Sequence, residues 1–134
     1  MKVAFQGERG AYSESAVYQF FGADTEVKPC RDFRDVFESV KKQEVQAGVV
    51  PVENSIEGSV NQNYDLFFNY DLKVCGEVIV KIAHCLIANP GTKLEAIKAV
   101  YSHPQALAQC RNFLEKSNFE LIPTYDTAGS VKLI

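Results

Sequence analysis

The sequence predicts an α/β fold of two lobes, each a mostly parallel sheet flanked by helices, and three observations carry that prediction. Strand-like runs alternate with helical periodicity three times before Leu72, the pattern of a parallel sheet with right-handed crossovers. From Leu72 the texture changes to a long apolar-polar alternation, after which strand and helix signals alternate again. At 134 residues, with 46% hydrophobic and 23% charged residues, the chain suits one compact domain or two lobes sharing an interface. The change of texture puts the boundary at Gly76, giving a first lobe over 1–76 and an incomplete second lobe over 77–134.

Composition excludes several functions. The net charge is −3 and the longest basic run is Lys41-Lys42, so neither nucleic acid nor an anionic membrane is an expected partner. No apolar stretch approaches the roughly 18 residues of a membrane span, and Met1-Lys2 opens onto a strand-like run in place of a signal peptide. The cytoplasm is the expected compartment. Cys30, Cys75, Cys85 and Cys110 are irregularly spaced, with no Cys-x-x-Cys pair and only His84 and His103 beside them. Reduced, mostly buried thiols are therefore expected, and no metal site. His84 and Cys85 are not a nucleophile and its base, because neighbours on a strand point to opposite faces.

The elements follow in order. "KVAFQG" (Lys2 to Gly7) reads as a short buried strand, and the loop "ERGAYS" leads to a helix with Ala16, Val17, Phe20 and Phe21 on its apolar side. Ser13 is its expected N-cap and Gly22 its C-terminal glycine. "TEVKP" is a weaker strand, with Pro29 marking an edge or an end. The next helix carries Phe33, Val36, Phe37 and Val40 at i, i+3, i+4 and i+7, Asp32 to cap it and Asp35 in its first turn. "QAGVVPV" lacks alternation and fits a strand covered on both faces. A loop, "ENSIEGS", then precedes a helix with Val60, Tyr64, Phe67 and Phe68 on one side.

"LKVCGEVIVKIAHCLIAN" places Val74, Val78, Val80, Ile82 and Leu86 on one face. It is too long for one ordinary strand, so two strands, or one passing between lobes with a bend at Gly76, are expected. "NPGTKLEAI" supplies a turn and a short helix, and "KAVYSH" a strand. Pro104 suits the first turn of a helix with Ala106, Leu107, Cys110, Phe113 and Leu114 inside. "FELIPTY" is another strand. "DTAGSVKLI" opens a helix capped by Asp126 or Thr127, whose apolar side begins with Val131, Leu133 and Ile134 and which has no stop signal.

Four times a strand runs into a small polar loop and then a helix start: "GERGAYSES", "ENSIEGSV", "YSHPQAL" and "YDTAGSV". Helix N-termini carry unpaired N–H groups and partial positive charge, and in open α/β sheets such loops gather beyond the carboxyl ends of the strands. A cleft for a small anion, such as a carboxylate, is the implied site. Neither Gly-x-x-x-x-Gly-Lys-Ser/Thr nor Gly-x-Gly-x-x-Gly is present, which removes nucleotide binding.

"VAFQGERGAYSESA", "VVPVENSIEGSV", "VYSHPQALAQC" and "YDTAGSVKLI" resemble, in order and spacing, four motifs of prephenate dehydratase. The resemblance implies a two-lobed fold like that of type II periplasmic binding proteins, with substrate between the lobes. It implies a reaction that needs no cofactor, in which prephenate loses CO2 and water to give phenylpyruvate on the route to phenylalanine. Carried over motif by motif, the substrate-binding residues are Glu53, Asn54, Ser55, Ser102, His103, Gln105, Thr127 and Ala128. Asn54 and Ser55 would donate hydrogen bonds. Glu53 either braces the loop or meets substrate directly. His103 is placed to order the loop ahead of Pro104 in preference to acting as general acid.

One departure from the family is serious. The Thr-Arg-Phe motif, whose threonine is assigned an essential catalytic role, is not present, and no catalytic residue is assigned within these residues. The phenylalanine-sensing regulatory domain is also missing. A truncated form with little activity of its own is expected, and a bare apolar surface should drive it to a homodimer or larger oligomer. A non-catalytic small-carboxylate binding module and an arogenate dehydratase are the alternatives.

Overall fold

The computed structural model describes all 134 residues, which divide into two compact units, Met1–Lys81 and Ile82–Ile134. The division falls after Lys81, where the change of texture pointed to Gly76.

In the first unit β1 (Lys2–Gln6) runs parallel to β2 (Glu26–Cys30) on one side and β3 (Ala47–Val49) on the other, with Val3 opposite both Val27 and Ala47. Its alternation sorts the core. Val3 and Phe5 pack with Val17 of α1 (Tyr12–Phe21), while Ala4 packs on the opposite face with Cys30, Val45 and Val36 of α2 (Phe33–Lys41). Each large apolar side chain buried there contributes about 1.5–3 kcal/mol. β2 is an edge strand, where a proline is tolerated. The Asp32 carboxylate accepts from Asp35 N at 3.0 Å and starts α2 as expected.

Ser13 is not a cap. α1 begins after Ala11, which makes no side-chain cap bond. The Glu14 carboxylate instead reaches back to accept from Gly10 N at 2.6 Å and from the Tyr18 hydroxyl at 3.2 Å, so the helix starts before the serine. Gly22 closes α1 as expected, donating to Tyr18 O.

β3 is covered on both faces as expected, by the α1 side through Ala47 and Val49 and by α2 over Gly48. It is still the outer strand on its side of the sheet, with Ala47 and Val49 half-buried and Gly48 exposed, and Val50 to Val52 lie beyond it. A Cβ on Gly48 would stand 2.6 Å from Val36 Cγ1 and 3.2 Å from Val40 Cγ2, so α2 can approach this closely only over a glycine. The polar loop that follows is a small hairpin, β4 (Glu53–Asn54) against β5 (Gly58–Ser59), turned by Gly58 at φ +79°.

α3 (Asn61–Asn69) docks on a different side from the expected one. Phe67 and Tyr70 meet the Phe37 ring at centroid distances of 5.1 and 5.4 Å, and the Tyr70 hydroxyl donates to Glu38 Oε1 at 2.5 Å. These contacts turn inward the line Asn63, Leu66, Phe67 and Tyr70, at i, i+3, i+4 and i+7. Val60 becomes the N-cap, Tyr64 is half-exposed and Phe68 is 91% exposed. The bond to Tyr70 holds Glu38 below the usual carboxylate range and Tyr70 above the usual phenol range.

The alternating run after Leu72 forms no strand. A strand needs a neighbouring row of N–H and C=O groups, and residues 71–89 pair with none. Val78 and Val80 are half-buried, whereas Val74, Ile82 and Leu86 are exposed. Their period described one apolar face without supplying a partner. Cys75 and Cys85 lie on this run and are exposed, so only Cys30 is a buried thiol and Cys110 a half-buried one. Burial pushes the thiols of Cys30 and Cys110 up.

The second unit holds a turn of 3-10 helix (Leu94–Ala96), then β6 (Ala99–Ser102) parallel to β7 (Glu120–Pro123). The helix expected after Pro104 is two, α4 (Pro104–Gln109) and α5 (Arg111–Leu114), jogged at Cys110. Ala106 and Leu114 are buried as expected, Leu107 and Cys110 half-buried, and Phe113 half-exposed. α6 (Thr127–Leu133) buries Gly129 and Ser130, while Val131, Leu133 and Ile134 are exposed. The Ser130 hydroxyl donates to Asp126 O at 2.7 Å and lies 2.6 Å from Thr124 Oγ1, which draws the small side of α6 inward.

Gly48→Ala should lower stability by about 1–3 kcal/mol, because the two valines of α2 that it meets are branched and stiff. Urea unfolding followed by circular dichroism measures this directly.

Candidate functional site

Each unit presents loops at the carboxyl ends of its parallel strands. In the second unit β6 and β7 end together, with Ser102 opposite Pro123 and Thr124 N donating to Ser102 O at 2.8 Å. Ser102, His103 and Gln105 leave β6 into α4, and Thr127 and Ala128 open α6 after β7. These five expected residues therefore share one end of one small sheet. Glu53, Asn54 and Ser55 belong to the first unit, in and beside the β4–β5 hairpin.

Side chains of this chain already occupy part of the helix start, or the residue just ahead of it, at α1, α4 and α6, whereas α3 starts at Val60 without a side-chain cap. Gly10 N, ahead of α1, is taken by Glu14. At α4, Pro104 has no N–H and His103 Nδ1 accepts from Gln105 N at 3.2 Å. That bond leaves the neutral imidazole with its proton on Nε2, a donor. At α6 the Asp126 carboxylate accepts from Gly129 N at 2.7 Å. What these caps leave are the first N–H groups of α6, at Thr127 and Ala128, with the Thr127 hydroxyl.

Asn54 is similarly divided. Its Oδ1 accepts from Ile56 N at 2.9 Å and Glu57 N at 3.3 Å, so its NH2 end is the part left to donate outward. Ser55 and Glu53 are exposed and Ser102 is half-buried. The hairpin of the first unit offers amide and hydroxyl donors, and the loops of the second offer hydroxyl, amide and imidazole donors. Such donors suit carboxylates and hydroxyls held by directed hydrogen bonds. His84 lies 2.7 Å from Gln109 Oε1, which keeps it apart from any role with Cys85.

Two residues of the first unit were not anticipated. Glu14 is buried and braces the loop before α1. Asn63 is 0% exposed, donates from Nδ2 to Pro51 O at 2.7 Å, and buries an Oδ1 with no protein partner. An unpaired buried acceptor of this kind costs about 1–3 kcal/mol. The signal for Asn63 was its place on the helical line of Leu66, Phe67 and Tyr70, where a polar residue hid the apolar period.

The prephenate dehydratase family model matches residues 3–134. The chain belongs to the prephenate dehydratase family. It is 48% identical over 134 residues to arogenate dehydratase 2 of Petunia hybrida and 40% identical over 136 residues to the bifunctional chorismate mutase/prephenate dehydratase of Aquifex aeolicus. These alignments cover 100% and 99% of this chain but only 34% and 37% of the relatives, so the chain spans about a third of their length.

Among solved structures, the prephenate dehydratase of Arthrobacter aurescens in complex with L-Phe superposes with a TM-score of 0.90 at 33% identity, covering 98% of this chain and 45% of that one. A protein described as a quorum quenching acylase superposes at 0.88 and 29% identity, covering 100% of this chain and 49% of that one. Membership of the prephenate dehydratase family thus fixes the scaffold, and the chemistry has to be argued from the site.

Asp126→Ala should destabilise the second unit by about 0.5–2 kcal/mol, the usual loss for a removed cap, with Asp126→Asn recovering most of it. Urea unfolding of the two variants beside the parent provides the check.

Proposed function

We propose that this chain is the substrate-gripping portion of a prephenate dehydratase, the enzyme that converts prephenate to phenylpyruvate, CO2 and water. The observation that carries the reading is the family match over residues 3–134, and the mostly uncharged donor set supports it. Prephenate brings two carboxylates and a ring hydroxyl. Asn54 and Ser55 in one unit, and Ser102, His103, Gln105, Thr127 and Ala128 in the other, supply hydrogen bonds for such groups without a metal. Glu53 stands beside them in either of its two roles.

Loss of the ring carboxylate as CO2 sends its electron pair into the ring as the carbon–oxygen bond breaks, and the hydroxyl leaves with a proton as water. Aromatisation drives the step, so the protein's share is alignment and help to the leaving hydroxyl. Thr-Arg-Phe is not among these residues, and we assign the proton transfer to none of them. Residues 1–134 by themselves should bind prephenate and turn it over little.

Arogenate is the second substrate to weigh, because the Petunia relative is named for it. A binding module without turnover is the remaining alternative. We also infer a homodimer or larger assembly, supported by the exposed side chains of Ile56, Phe68, Val74 and Ile79 in the first unit. The cytoplasm is the compartment we infer, although several Arabidopsis relatives carry a chloroplastic label.

In the intact protein, phenylpyruvate should form from prephenate, and Asn54→Ala or Thr127→Ala should each lower kcat/KM by about 10- to 100-fold. A faster reaction with arogenate would move the assignment to that substrate. Calorimetric binding of prephenate without turnover would support the binding module, and neither binding nor turnover would end the proposal. Multi-angle light scattering should give a mass of at least twice that of one chain; a monomer at micromolar concentration would remove the inferred assembly.

A further inference from the structure

We propose that Asn63 is a positioning residue, the clamp that ties the Glu53-Asn54-Ser55 hairpin to the core of the first unit; its catalytic consequence rests on the prephenate reading above. Asn63 is fully buried on the line by which α3 packs against α2, with Leu66 and Phe67 beside it. A leucine would serve the packing better. The position instead holds a carboxamide whose Oδ1 is buried with no protein partner, a cost in stability that packing does not explain. Real proteins tend to tolerate such local losses where function requires them.

The other end of the side chain supplies the reason. Its Nδ2 donates to Pro51 O at 2.7 Å, across twelve positions of sequence and two residues ahead of Glu53. Val60 N donates to Val52 O at 2.9 Å, and Asn63 N donates to Val60 O at 3.0 Å. Both ends of the hairpin are thus tied to the first turn of α3. Within it, Asn54 Oδ1 accepts from Ile56 N and Glu57 N, which fixes the direction of the Asn54 NH2 only if the base of the hairpin is itself fixed. Phe67 meets the Phe37 ring in the core and Asn63, one turn earlier on the same side of α3, bonds Pro51 at that base. Asn63 acts through the hairpin and is not assigned a contact with substrate.

The test separates holding the fold from holding the hairpin. Asn63→Leu in the intact protein should leave the melting temperature unchanged or raised while KM for prephenate rises on the order of 10- to 100-fold, with a smaller change in kcat, as expected of a binding group moved out of place. Amide hydrogen exchange at Ile56, Glu57 and Val60 should quicken in the same variant, while exchange in β1 stays as in the parent. Leu66→Ala, at a neighbour on the same face of α3 with no side-chain hydrogen bond to make to Pro51, should lower the melting temperature and leave KM alone. Asn63→Ser, too short to reach Pro51, gives the same readouts if the leucine variant does not fold. Parent-like KM and parent-like exchange at Ile56 and Val60 in a folded variant would overturn the proposal. Absence of any prephenate binding or turnover by the parent would defeat the functional reading, and the exchange data would still decide the clamp.

Discussion

Everything in the first unit depends on β1 being buried on both faces. Val3 and Phe5 commit one face to α1, and Ala4 commits the other to α2. With both faces closed, the strand can be extended only sideways, and short connections through helices make the added strands parallel. Parallel strands all end on one side. The consequence is a set of loops at a single rim, positioned by packing several residues away from them. The second unit repeats the rule on a smaller scale, with β6 and β7 ending together and only a few buried side chains behind them.

Within each unit the chemistry of these loops follows from the way the helix starts are satisfied. A helix N-terminus offers unpaired N–H groups and partial positive charge. Here Glu14, His103 and Asp126 each take one such group, or one just ahead of the helix, for structure. Two of these caps are carboxylates, which oppose a second anion at the same place. The donors these caps leave over are the Asn54 NH2 in the first unit and, in the second, the Thr127 hydroxyl, the imidazole Nε2 of His103 and the first N–H groups of α6. Directed, uncharged donors of this kind suit carboxylates and hydroxyls.

Asn63 illustrates how the two demands meet in one residue. Its position belongs to the core by burial and to the rim by hydrogen bonding. Stability would favour an apolar side chain there, and a fixed hairpin requires a donor. The sheet and the aromatic contacts of Phe37 provide enough support for the helix to carry that loss.

Local chemistry was legible in the sequence. Asp32 and Asp126 as caps, Pro104 in a first turn, Pro29 on an edge strand and the strand-helix alternation all follow from forces acting within a few residues. So did the family, because four loops with tightly constrained shapes leave recognisable residues in order. Tertiary structure decided what depends on a partner. The face of α3 that turns inward was chosen by the Phe37 ring and by a buried asparagine, against the plain apolar count. Residues 71–89 alternate like a strand and yet join no strand ladder, since a ladder requires a second row of backbone groups that no period can encode. The small side of α6 was drawn in by a hydroxyl bond, leaving Val131 and Leu133 outside. Sequence determined most turns and the caps at Asp32 and Asp126, though not the start of α1; packing determined which faces were hidden, because burial is a property of two surfaces and a sequence describes one.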